Sequence, residues 1–276
     1  MFGPGVYMIS WIRISSVSLL LSALLVLSSQ AQNTEQLTVG PPPQHRADPP
    51  ASGASPEELE RSGDQLREDK NYLDAVDYYQ AALKGAPGST SVFNKIGICQ
   101  LMMQQYKEAK KNLERAIRAD RKYADAYNNL GVIEYQAHSY NTAIKHYEKA
   151  ISLNGDAASY YSNVGAAYFG KRQFEKAIQN YSKAMALDPD IFERISHAGV
   201  QARLPSPEDL AHYDYVLAKL YAKTGVPDRS LHYLKKAMEE GYQGIKNVYT
   251  DNEFSTLRKD PRFVELMAAK TTAIPN

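Results

Sequence analysis

Six histidines, one cysteine and 31 acidic residues are the groups from which this chain could build an active site or a metal centre. The histidines are scattered. His138 and His146, the closest two in the regular part of the chain, stand eight residues apart, which is not a ligand spacing on one helix face. Cys99 can form no intrachain disulfide and has no evident histidine to make it a thiolate, so it reads as a small buried residue. Neither G-x-S-x-G, nor a phosphate-binding glycine loop, nor H-E-x-x-H occurs. The acidic cluster Glu57, Glu58, Glu60 and Asp64 suits a helix N-terminus and a solvated face. Asn180-Tyr181-Ser182 spells a glycosylation sequon, but its tyrosine falls in a packing position mid-helix. Catalysis, a metal and a cofactor are not expected. The polar residues whose spacing does suggest work are asparagines: Asn94, Asn128, Asn129 and Asn163. An asparagine amide both donates and accepts, so it can pair with a peptide backbone whatever side chains that peptide carries. It can equally bond to a neighbouring helix, and the sequence leaves both roles open.

The elements that hold these residues repeat. Gly63, Gly97, Gly131 and Gly165 are each 34 apart, and so are Ala75, Ala109, Ala143 and Ala177. Ala82, Ala116, Ala150 and Ala184 keep the step, as do Tyr72, Tyr106, Tyr140 and Phe174, and Tyr79, Leu113, Tyr147 and Tyr181. Such a period belongs to stacked supersecondary units, each leaving one hydrophobic face bare until the next covers it. Glycine in a helix costs about 1 kcal/mol relative to alanine. Its recurrence, with paired alanines on the following helix, therefore predicts close approach of two helices. The 20 tyrosines against one tryptophan fit this pattern, with Tyr and Phe filling the gaps.

Period and residue types together resemble the tetratricopeptide repeat, a helix-turn-helix unit. The fourth copy matches best, through Tyr161, Val164-Gly165, Tyr168, Phe174, Ala177, Tyr181, Ala184 and Pro189. The resemblance implies an all-α, right-handed superhelical α-solenoid with four repeats over 56–190. After Pro189 two phasings compete. Gly199, Ala211, Tyr215 and Ala218 continue the 34-residue step, while Tyr213 to Tyr242 also reads as a complete unit with Gly225 in its turn. The second is preferred, because Gly225-Val226-Pro227-Asp228 is the stronger break. Residues 191–243 are then an insertion plus a degenerate fifth repeat. Residues 244–276 supply C-terminal capping helices, with starts expected at Asp251 and at Asp260-Pro261.

Ahead of the repeats, Arg13 is followed by an apolar run, Ile14 to Leu27, and by Ser29 and Ala31 at the spacing a signal peptidase reads. Residues 1–31 are expected to be a signal peptide cleaved after Ala31, with Met8 an alternative start. The run is short of the roughly 20 residues that span a bilayer, although a retained anchor is the alternative. Residues 32–55, rich in Pro, Gly, Ser and Ala, read as a flexible linker. An exported protein, periplasmic or secreted and without a stable membrane span after cleavage, follows. With Lys plus Arg at 32 and a net charge of +1, the chain has no field for nucleic acid.

In the family, first helices line the concave side and hold extended peptides or partner helices. That resemblance implies partner-binding roles for Asn94, Lys95 and Ile98, with Leu101 and Met102 alongside, in the second unit. In the third unit the counterparts are Asn128, Asn129, Val132, Tyr135 and Gln136, and in the fourth Ser162, Asn163, Ala166 and Phe169. Members that grip a chaperone's C-terminal carboxylate use lysines, an arginine and asparagines. Here Glu60 and Asp64 stand in the first unit, and Ile98 and Val132 follow the asparagines, so that clamp is not assembled. The expected function is a non-catalytic scaffold or adaptor for a protein or peptide partner. A self-associating structural protein, with a second copy as the occupant, is the alternative.

Overall fold

A computed structural model describes residues 47–193 and 207–269, with the side chains of 207 and 208 left aside. The expected signal peptide, most of the linker, residues 194–206 of the expected insertion and the last seven residues lie outside the described residues. Among the described residues the regular elements are all helical, and they come in antiparallel pairs. The first pair is α1 (Pro56–Glu68) and α2 (Tyr72–Gly85), the second α3 (Thr90–Met102) and α4 (Tyr106–Ala119). The third is α5 (Ala124–Gln136) and α6 (Tyr140–Leu153), the fourth α7 (Ala158–Gly170) and α8 (Phe174–Leu187). A fifth pair, α9 (Pro207–Lys223) and α10 (Pro227–Glu239), follows. Three 3₁₀ turns, Ile245–Tyr249, Asn252–Phe254 and Leu257–Lys259, and a short α11 (Pro261–Ala268) end the stack. This is an all-α solenoid of paired helices.

Local chemistry explains the boundaries. Ser55 and Glu58 form a reciprocal capping box ahead of α1, with Ser55 N–H donating to Glu58 Oε2 at 2.9 Å. Pro56, Pro227 and Pro261 each stand in the first turn of a helix, where the missing N–H costs nothing. Asp260 Oδ1 accepts from Arg262 N–H at 2.9 Å and starts α11. Asp251 starts a 3₁₀ turn in place of an α-helix. The turns within pairs share one geometry: Lys70, Gln104, His138 and Arg172, again 34 apart, all adopt left-handed backbone with φ between 55° and 62°. In the fifth pair that position is Gly225, φ 74°, the residue type that takes this conformation without strain.

Packing shows what the glycines are for. A Cβ on Gly131 would sit 2.5 Å from Tyr147 Cδ1, one on Gly165 2.5 Å from the Tyr181 ring, one on Gly63 2.6 Å from the Tyr79 ring, and one on Gly97 2.7 Å from Leu113. Each glycine therefore opens a socket for the large side chain sixteen residues later, on the second helix of its own pair. The expected close approach of helices is present, and the object admitted is a ring or a leucine. Tyr79, Leu113, Tyr147 and Tyr181 are buried to within 1% as a result. Both alanine columns are equally buried. The Tyr72, Tyr106, Tyr140 and Phe174 column is looser: its members are half-buried except Tyr106, which is exposed. In the fifth pair Ala218 and Leu234 keep the sixteen-residue relation, both fully buried.

Candidate functional site

α3 touches α5 and α5 touches α7, whereas no two successive second helices are in equal contact. The first helices thus form the tighter, inner layer of the stack, and the residues flanking the glycine column face this layer. At its acidic end, Lys95 Nζ lies 2.7 Å from Glu60 Oε1 and 2.6 Å from Asp64 Oδ2, joining α3 to α1. Asn129 Nδ2 donates to Asn94 Oδ1 at 3.0 Å, joining α5 to α3. Asn163 Nδ2 donates to Asn128 Oδ1 at 2.9 Å, joining α7 to α5, and Asn128 Nδ2 donates to Asn129 Oδ1 at 3.3 Å. The Tyr160 hydroxyl donates to Asp125 Oδ1 between the same two helices. Glu60–Lys95, Asn94–Asn129, Asn128–Asn163 and Asp125–Tyr160 are all 35 residues apart, one repeat plus one residue. A seam of polar bonds therefore runs along the inner layer and ties the first four units together. Buried polar groups must be paired, and this seam pairs them.

The residues expected to hold a partner consequently differ in position. Asn94, Asn128, Asn129, Ser162 and Asn163 are buried at 3% exposure or less, with the four asparagines bonded to one another as the seam. Ile98, Val132, Tyr135 and Phe169 are buried as well, the first at 9% and the others at 3% or less. Lys95 is half-buried and engaged by two carboxylates. Of the residues expected to flank the groove, Met102 at the end of α3 is 37% exposed and Gln136 at the end of α5 is half-buried. The Tyr160–Asp125 bond escaped sequence reasoning; its only trace was the 35-residue spacing that it shares with the asparagines.

Among the described residues there is no group of three or more His, Cys, Asp or Glu able to hold a metal ion. Burial pushes the Cys99 thiol up to about 12, the opposite of what a nucleophile needs. Tyrosine hydroxyls form a more unusual set. Tyr79 donates to Asp64 Oδ1 at 2.8 Å and accepts from Arg67 Nε at 3.4 Å. The hydroxyls of Tyr135, Tyr147 and Tyr181 are buried and have no hydrogen-bond partner among the described residues. Burial pushes the pKa of all three up, so they remain protonated donors.

Two models of the tetratricopeptide repeat family match residues 66–131 and 122–190. Among curated proteins, sperm-associated antigen 1 of Rattus norvegicus is 34% identical over 64 residues, which is 23% of this chain and 7% of that protein. Its Mus musculus counterpart is 36% identical over 62 residues, 22% of this chain and 7% of that one. The chain thus spans only a small part of these relatives. TTC0263, described as a thermophilic TPR protein in Thermus thermophilus, shares the fold at a TM-score of 0.50 and 19% identity, over 78% of this chain and all of that one. MamA from Desulfovibrio magneticus RS-1 aligns at a TM-score of 0.46 and 17% identity, over 69% and 97% of the two chains.

Proposed function

Because this chain is a tetratricopeptide-repeat protein, we propose that it is a non-catalytic scaffold that docks a peptide or helix of another protein against the inner layer of its solenoid. The tetratricopeptide-repeat fold serves generally as a protein–protein interaction module. One observation carries the reading for this chain: polar bonds from Glu60 to Asn163 tie the first helices of the first four pairs to one another. A preorganised surface loses little freedom on binding, which is what a docking scaffold requires. Its contact points are Met102, exposed at the end of α3, and the half-buried Gln136 at the end of α5. The asparagines hold that surface in shape.

Residues 1–31 serve as an export signal in this reading, and residues 32–55 tether the solenoid in a periplasm or outside the cell. No helix among the described residues is long and apolar enough to cross a membrane. Edman sequencing of the native protein is expected to begin at Gln32; a chain that retains residues 1–31 contradicts the cleavage. Docking is tested by co-purification from native cells. Met102→Asp with Gln136→Arg, folded by circular dichroism, should lose the partner, while changes at Lys111 and Glu148 on the second helices should keep it. A partner retained through the first pair of changes overturns the proposal.

A further inference from the structure

The near-neutral net charge of +1 conceals a division between the two layers of the stack. The first helices α1, α3, α5, α7 and α9 carry ten acidic and five basic residues, whereas their five second helices carry thirteen basic and eight acidic ones. The excess of cations gathers on one face of α4, α6 and α8. Arg115, Lys149 and Lys183 are 34 residues apart and exposed, and each stands over an aromatic ring from the first helix of its own pair. The Arg115 guanidinium carbon lies 4.2 Å from the centre of the Phe93 ring, Lys149 Nζ 5.9 Å from that of Tyr127 and Lys183 Nζ 5.7 Å from that of Tyr161. A ring attracts a cation without cancelling its charge. The three cations are thus held at one level in three successive units and stay positive.

Exposed neighbours widen the row into a field. Arg118 stands three residues after Arg115, Lys145 four before Lys149 and Lys176 seven before Lys183, spacings that return to the same helix face. Glu108 interrupts the field, while Glu114 and Glu148 each precede a cation of the row by one residue and so lie about 100° round the helix.

Packing does not account for this arrangement. Among the described residues, Arg115, Lys145, Lys149, Lys176 and Lys183 have no carboxylate at ion-pair distance, whereas Lys95, Lys219 and Lys236 elsewhere in the stack are all engaged. Lys145 and Lys149, one helical turn apart, repel each other. In the first pair Ala81 takes the place of Arg115. In the fifth, Lys236 takes it and is neutralised by the buried Asp214 carboxylate at 2.9 Å. The unneutralised row is confined to three adjoining units.

An occupant of this face must be anionic and broad. One extended strand meets one row of charges, but six cations spread over three helices match a charged sheet. The headgroup surface of a bilayer is such a sheet, and it attracts each lysine or arginine brought within a Debye length, about 10 Å at 0.1 M salt. We propose that the outer face of α4, α6 and α8 rests on a membrane surface rich in anionic phospholipid, which turns the inner layer away from the membrane. The same headgroups repel the acidic inner layer, so both layers orient the molecule in one sense. Lipid contact on this face is independent of what docks on the inner layer.

Vesicle sedimentation with the purified native chain tests the contact. At low salt the chain should pellet with phosphatidylcholine vesicles that contain about one third phosphatidylglycerol, stay in solution with pure phosphatidylcholine, and be released as salt shortens the Debye length. Arg115→Gln/Lys149→Gln/Lys183→Gln, with folding checked by circular dichroism, should weaken this binding about a hundredfold. Lys223→Gln/Lys246→Gln/Lys259→Gln removes the same charge from exposed surface elsewhere and should change it by less than about threefold. Undiminished binding by the first variant, or an equal loss in both, overturns the proposal, the second result meaning a response to net charge alone. Equal pelleting with pure phosphatidylcholine overturns it too, since apolar insertion would then be the cause. A chain that ignores the vesicles but binds polyglutamate through Arg115, Lys149 and Lys183 also overturns it and gives the face to an acidic protein segment. None of these outcomes alters the partner expected at positions 102 and 136.

Discussion

Replacing Gly131 with alanine sets two physical effects against each other. Helix propensity favours alanine by about 1 kcal/mol, and Gly131 lies in the middle of α5. The new methyl, however, would stand 2.5 Å from Tyr147 Cδ1, well inside van der Waals contact. The ring cannot swing away, because Tyr147 is fully enclosed among Val132, Ala143, Ile144 and Val164. Overpacking of this kind costs about 1–3 kcal/mol, and so close a contact belongs at the upper end. Strain of about 3 kcal/mol less about 1 kcal/mol of propensity leaves a net loss of about 2 kcal/mol. At roughly 2–4 °C per kcal/mol for a chain of this size, the melting temperature should fall by about 4–8 °C. The partner substitution Tyr147→Leu should shrink the penalty by half or more, because Ala218 and Leu234 already coexist in the fifth pair. Thermal melts of the two single variants and the double variant, followed by circular dichroism, give this coupling. A higher melting temperature for Gly131→Ala, or a penalty unchanged in the Tyr147→Leu background, would refute the socket.

Asn128→Leu removes both the acceptor used by Asn163 and the donor to Asn129, and should destabilise by about 2 kcal/mol in urea unfolding; a change below about 0.5 kcal/mol, on the order of a surface substitution, would mean that the seam does not hold the units. Gln104→Gly relieves a left-handed residue at φ 59° and should raise stability by up to about 1 kcal/mol; a lower melting temperature contradicts it. Glu240 is pushed up to about 7 from 4.5, by burial first and then by the Asp214 carboxylate and its hydrogen bond, with Lys236 opposing. The folded state therefore keeps a proton that the unfolded chain has lost between pH 4.5 and about 7, and the stability linked to this group is present below that window and lost as pH rises through it. Glu240→Gln should accordingly raise the melting temperature more at pH 8 than at pH 5, and an equal or reversed gain refutes the assignment.

Much of the fold was legible because glycine and alanine at fixed steps admit few alternatives to close helix packing. The sixteen-residue packing relation between each glycine and its socketed side chain was harder to see, since Tyr79, Leu113, Tyr147 and Tyr181 look like independent core residues. Left-handed turn positions were hidden for a different reason: Lys70, Gln104, His138 and Arg172 carry none of the glycine that normally marks them, and only Gly225 does. The asparagines were recognised, but one sequence could not divide contact with a partner from contact with the next helix. Geometry assigns the four amides to each other. The orphaned hydroxyls required both views, since tyrosine is unremarkable in the column until Asp64 is compared with Val132 and Ala166.

Photo-crosslinking in living cells tests inner-layer docking most directly. A benzophenone amino acid is placed singly at positions 102 and 136, at the ends of α3 and α5, and at 111 and 148 on α4 and α6. The account predicts one common partner joined from 102 and 136 and none from 111 or 148. A partner captured from the outer helices alone would contradict it.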